Sequence, residues 1–186
     1  MSSCGGIELR TPSGRLTLMN VRDRFTKVLG RIYMNGMSRD GSPAVPIQSG
    51  VLPWRLKGAK KLEIMLVTGR RSGRWLIPKG WPMPGRSLAD SAAQEAFEEA
   101  GIKGAVDPKP IGTFRHAKQH LLLGRMEIDI LVHPLAVQRE LDDWPERGER
   151  SRKWFSVNQA ATRVESDDLR KLIVRFGKEL KARSLI

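Results

Sequence analysis

Three carboxylates at helical spacing carry the most chemistry in this chain. Glu95, Glu98 and Glu99 stand at i, i+3, i+4 in "SLADSAAQEAFEEAGI". At about 100° per residue they share one flank of a helix. Like charges one turn apart weaken a helix slightly. No lysine or arginine inside the helix follows them at i+3 or i+4, since Lys103 lies beyond its end. Two uses fit the pattern: a solvated acidic face, or a site for a hard cation. Mg²⁺ or Mn²⁺ takes oxygen ligands, and carboxylates one turn apart can hold one ion or bridge two.

The residues before the helix favour the second use. "PKGWPMPG", Pro78 to Gly85, makes a stiff, specifically shaped turn. Its backbone carbonyls can face the carboxylates, and Lys79 can reach an anion. Ser87 with Asp90 is a capping signature that starts the helix near Leu88. Gly101 stands where a left-handed cap ends it. Ala89, Ala93, Ala96, Phe97 and Ala100 form the opposite side, small enough for close approach to a sheet.

The remaining chain supplies the scaffold. "SGVLPWRL" and "KLEIMLVTGR" read as strands around a "KGAKK" turn, with Leu62, Ile64 and Leu66 alternating against Glu63 and Met65. "GRRSGRW" is a basic turn and "WLI" a short strand. After the glutamates come "KPIGTFRHAK", a strand pair around Leu123–Arg125, and the acidic loop "ELDDWPERGERS". "RKWFSVNQAATRV" reads as strand, turn and short helix. The segment from Asp167 onward is a closing helix with Leu169, Leu172, Ile173 and Phe176 on one face. This order predicts a mixed α/β domain with helices packed against a sheet.

Composition sets the frame. The chain has 186 residues, 40% hydrophobic and 28% charged, which suits one domain with an appendage. No apolar run approaches the roughly 18 residues of a membrane span. "MSSCGGIELR" lacks the apolar core of a secretory signal, and a lone Cys4 fits a reducing compartment, so the expected location is the cytoplasm. Net charge is +13, of which +7 falls in residues 1–60. Such a balance attracts polyanions, against the plainer reading of a solvated basic surface. Residues 1–45 are expected to form a basic extension, with a basic amphipathic helix over Leu16–Met34 and a Gly/Pro/Ser linker. Residues 46–186 are expected to form the main domain.

The segment Gly80 to Ile102 resembles the Nudix box. Gly80, Glu95, Glu98, Glu99, Gly101 and Ile102 stand at matching positions, whereas Arg86 replaces a glutamate and Gln94 an arginine. Ala96 is small for an aliphatic slot. "RWLIPKGW" and "WPERGERSRKWFSVNQAA" extend the resemblance toward diphosphoinositol polyphosphate phosphohydrolases and their bacterial relatives, from about Gln48 to Phe176.

The resemblance implies a Nudix α/β/α sandwich with a mixed sheet and Mg²⁺- or Mn²⁺-dependent hydrolysis of a pyrophosphate bond. It makes Glu95, Glu98 and Glu99 metal ligands together with the Lys79 backbone carbonyl. Glu98 and Glu99 are the catalytic candidates, with Glu146 and Glu149 as alternative bases. Arg74, Lys79, Arg125, Arg150 and Arg152 are candidates for gripping a phosphorylated small-molecule substrate such as a diphosphoinositol polyphosphate, a dinucleoside polyphosphate or a related nucleoside diphosphate derivative. Arg86 and Gln94 keep a rival open: a catalytically weak Nudix-like domain that binds RNA or another polyanion through its basic N-terminal third.

Overall fold

The computed structural model describes residues 45–58, 61–120 and 124–183, leaving out the side chains of 118–120 and 124–126. The amphipathic helix and linker expected before residue 45 lie outside the described residues.

Among the described residues eight strands form one sheet: β1 (Ile47–Lys57), β2 (Lys61–Thr68), β3 (Trp75–Leu76), β4 (Lys79–Gly80), β5 (Ile102–Val106), β6 (Gly112–His120), β7 (Gly124–Glu140) and β8 (Arg152–Ser156). The helices among the described residues are α1 (Leu88–Ala100), α2 (Val157–Arg163) and α3 (Asp167–Ala182). The backbone of the sheet runs β3-β2-β1-β7-β5, with β4 on β1, β6 on β7 and β8 on β2. The β1–β7 pair is parallel and the other pairs are antiparallel. The sheet is therefore mixed. Strand β7 is long enough to serve three neighbours. Its first part pairs β6, its middle lies along β1, and its end pairs β5.

Both faces of the sheet are covered, so central strands are apolar on both sides. Leu62, Ile64 and Leu66 of β2 face α2 and α3, in a core with Leu52, Ile130, Val132, Phe155, Ile173 and Phe176. Met65 and Val67 are as deeply buried on the other side, against Val51, Ala92, Ala96, Ala100 and Leu135. The sequence alternation caught the first face and left the second unmarked, because a doubly covered strand has no polar side to alternate with. Alanines on α1 let the helix lie close to that second face.

Local signals hold where backbone chemistry fixes them. Ser87 Oγ accepts from the Asp90 amide to start α1, and Gly101 ends it at φ 61°, ψ 37°. Ser156 and Gln159 form a reciprocal capping box, so α2 follows β8 directly, without the expected intervening turn. Strand β5 went unmarked in "IKGAV", whose five residues include only two large aliphatic side chains. It exists because its backbone pairs with the end of β7, a non-local partner.

Candidate active site

The loop before α1 is fixed by a buried serine. Ser91 is fully buried, donates to the Ser87 carbonyl (2.9 Å) and accepts from the Met83 amide (3.0 Å). That anchors "WPMPG" to the first turn of the helix. Strand β4, just upstream, pairs Lys79 and Gly80 with Gly50 and Ser49. It runs against α1 at the height of the glutamates.

Each glutamate has its own neighbour there. The Glu95 carboxylate lies against Gly80, where an added Cβ would run into it. Glu98 Oε1 accepts from Gln94 Nε2 at 3.0 Å. Glu99 is 4% exposed, and its Oε2 accepts from the Lys79 amide at 3.2 Å. Its Oε1 accepts from Arg150 Nη2 at 2.5 Å. Burial pushes the Glu99 carboxyl above its ordinary pKa, against the opposing pull of Arg150 and Lys79. Glu99 therefore sits closer to the sheet than a face opposite the alanines would place it. At about 100° per residue it lies beside Ala92 and Ala96, and Glu98 projects farther from them.

Arg150 is the hub of an ion-pair network. Its guanidinium is 10% exposed and also donates to Glu146 Oε2 (2.6 Å) and to the Thr68 carbonyl (2.9 Å). Glu146 is 7% exposed and is bound by Arg70 as well, which also reaches Glu149 at 2.8 Å. Both alternative bases are thus engaged by arginine. The 142–151 loop is stitched down by its backbone: Glu146 N donates to the Glu98 carbonyl (3.1 Å) and Thr68 N to the Ser151 carbonyl (2.9 Å).

The other predicted site residues fall in different surroundings. Arg152 Nη2 donates to the Leu141 carbonyl at 2.8 Å and Nη1 to the carbonyls of Ala100 and Gly101, the latter at 3.1 Å. Its guanidinium also stacks 4.1 Å from the Trp144 ring centroid. Arg152 thereby closes the C-terminal end of α1. Arg74 forms an exposed pair with Glu165 at 2.8 Å. The backbone of Arg125 lies in β7 opposite Gln119, and its side chain is outside the described residues. Sequence reasoning missed Arg70, whose only signal was the basic turn "GRRSGR".

Among the described residues, no group of three His, Cys, Asp or Glu side chains converges as a ready-made metal cage. Gln94 instead holds Glu98, Lys79 and Arg150 hold Glu99, and Glu95 lies against Gly80. The donor set still suits a hard cation, because it is all oxygen and each engaged carboxylate oxygen keeps a second lone pair. Gly80 is the strongest sign of fit: lacking a side chain, it leaves room for the Glu95 carboxylate beside β4.

Comparisons with known proteins place the chain at the level of family and fold. Residues 48–176 match the NUDIX domain family, and the chain belongs to that family. It is 29% identical over 131 residues to Nudix hydrolase 21, chloroplastic, of Arabidopsis thaliana, covering 68% of this chain and 64% of that protein. It is 32% identical over 101 residues to diphosphoinositol polyphosphate phosphohydrolase 3-beta of Bos taurus, covering 53% of this chain and 57% of that one. The chain thus spans 64% and 57% of the length of these two relatives. Among solved structures, a C. elegans Ap4A hydrolase binary complex superposes with a TM-score of 0.57 at 20% identity, covering 74% of this chain and 99% of that one. That likeness fixes the fold: a mixed sheet between helices, as expected from the sequence.

Proposed function

We propose that this chain is a divalent-metal-dependent pyrophosphohydrolase acting on a phosphate-rich substrate. The observation that carries the reading is the Glu95–Glu98–Glu99 flank of α1, set against the Lys79–Gly80 strand, in a chain of net charge +13. Glu95, Glu98 and Glu99, with the Lys79 carbonyl, would hold Mg²⁺ or Mn²⁺. When bound, such an ion would neutralise diphosphate oxygens and ease deprotonation of water.

The chain's own residues supply the rest. Glu98 or Glu99 accepts the proton of the attacking water as its oxygen bonds to phosphorus and the bridging P–O bond breaks. Arg150 and the Lys79 amide keep Glu99 aimed while it carries charge in a buried setting. Lys79, Arg74 and Arg125 are the proposed grips on the substrate phosphates. Arg150 and Arg152 donate to protein acceptors in buried or part-buried settings, unlike the exposed Arg74, so their proposed role is to hold Glu99 and the end of α1.

Relatives named for diphosphoinositol polyphosphate and Ap4A hydrolysis both concern multiply phosphorylated anions. We expect one of those chemistries, in the cytoplasm. No helix among the described residues is long and apolar enough to cross a membrane. A metal titration separates this reading from the polyanion-binding rival. The rival lacks a Mg²⁺ site dependent on Glu95, Glu98 and Glu99, and its polyanion affinity falls steeply with salt.

A further inference from the structure

Arg86 and Gln94 occupy the two positions where this chain departs from the box, and they touch each other. We propose that Arg86 is a positioning residue that fixes the direction of the Gln94 amide, so that Gln94 donates to Glu98. The inference rests on the metal-site reading of Glu98 given above.

The geometry is a two-bond relay. Arg86 Nη1 donates to Gln94 Oε1 at 3.0 Å, and Gln94 Nε2 donates to Glu98 Oε1 at 3.0 Å. Its direction follows from chemistry alone. A guanidinium has no acceptor, so only the amide oxygen can face it. An ionised carboxylate has no donor, so only the amide NH₂ can face Glu98. A cation at one end and an anion at the other each select the same amide orientation.

The starting point of the relay is itself held. The Arg86 amide donates to the Met83 carbonyl at 3.2 Å, and the next residue is the helix cap. Asp90, the acid nearest this end of α1, accepts from Ser87 Oγ at 2.7 Å. The Arg86 guanidinium turns instead to the Gln94 side chain. Gln94 and Glu98 are four residues apart on α1, so helical geometry brings the second bond into reach.

A charge reversal at position 86 should therefore act against simple Coulomb expectation. A carboxylate there would attract the Gln94 NH₂, turning the amide oxygen toward Glu98, where two acceptors repel. Plain electrostatics predicts the opposite, since a negative charge added near a cation site tightens cation binding. With arginine at position 94, a carboxylate at 86 becomes the matching acceptor, and a guanidinium again donates to Glu98.

The test is Mn²⁺ affinity of the full chain, read by electron paramagnetic resonance, with folding checked by thermal melting. Variants are Arg86→Glu, Arg86→Lys, Gln94→Arg, the Arg86→Glu/Gln94→Arg double and Glu98→Gln. The relay predicts a loss of about three- to tenfold for Arg86→Glu, the scale of one hydrogen bond. Arg86→Lys, which keeps a donor, should stay within about twofold of the parent on the same scale. On the Gln94→Arg background, Arg86→Glu should leave affinity unchanged or raise it. Tighter or equal binding in Arg86→Glu alone, or the same factor on both backgrounds, would overturn the relay while leaving the metal site standing. Parent protein whose Mn²⁺ binding is indifferent to Glu98→Gln would overturn both.

Discussion

Arg150 shows how one side chain can hold a site that its own sequence neighbourhood does not reveal. Its guanidinium spans Glu99, Glu146 and the Thr68 carbonyl, and the Arg150, Glu99 and Glu146 side chains are almost fully buried. Removing the cation leaves two buried carboxylates facing each other. Breaking a buried pair costs about 3–5 kcal/mol, more than the pair contributes relative to an apolar substitute. Arg150→Ala should lower the melting temperature by roughly 10 °C in a chain of this size, measured by calorimetry. A shift of only a degree or two would mean the network is solvated and slack. The glutamates themselves were legible in the sequence, since i, i+3, i+4 is a local pattern. The pairing of Glu99 with Arg150 was not, because the two lie 51 residues apart.

At the scale of elements, the site depends on how closely β4 approaches α1. Gly80 permits that approach, and a Cβ there would collide with the Glu95 carboxylate. Gly80→Ala should therefore cut turnover by about a hundredfold, as expected when a catalytic group is displaced by about 1 Å. Circular dichroism should stay that of the parent. Retained turnover would show that Glu95 has room to move aside. The far end of α1 has a similar constraint. Gly101 adopts a left-handed backbone and packs under Trp144, so Gly101→Ala meets both strain and a clash. It should destabilise by about 1–3 kcal/mol in urea unfolding. The caps of α1 were readable because serine and glycine do specific jobs at helix ends. Strand β5 was not, because its backbone pairing rather than its side chains defines it.

For the whole molecule, the question is how a strongly basic chain presents an acidic site. Residues 1–45 hold seven Lys/Arg and three acids. In our reading this segment is an accessory arm: deleting it leaves turnover intact, weakens polyanion binding and flattens its salt dependence. Filter binding across a salt series reads this directly, and loss of folding on deletion would end the idea of a dispensable arm. Helices packed against a sheet were foreseeable from the order of strands and helices, and the mixed sheet between helical layers from the resemblance of the Gly80–Ile102 segment. The buried second face of β2 and the arginine network were not, since both arise from contacts between distant segments.

The central claim is that the α1 glutamates serve hydrolysis of a pyrophosphate bond. Its most direct test is release of phosphate or nucleotide, with Mg²⁺ or Mn²⁺, from dinucleoside polyphosphates, inositol pyrophosphates, nucleoside diphosphate sugars and triphosphorylated RNA. The same panel is run on Glu99→Gln. The account predicts metal-dependent cleavage of at least one of these substrates, reduced about a hundredfold or more in the variant, the scale of losing one charge-stabilising group. No cleavage across the panel, or equal cleavage by parent and Glu99→Gln, would contradict it.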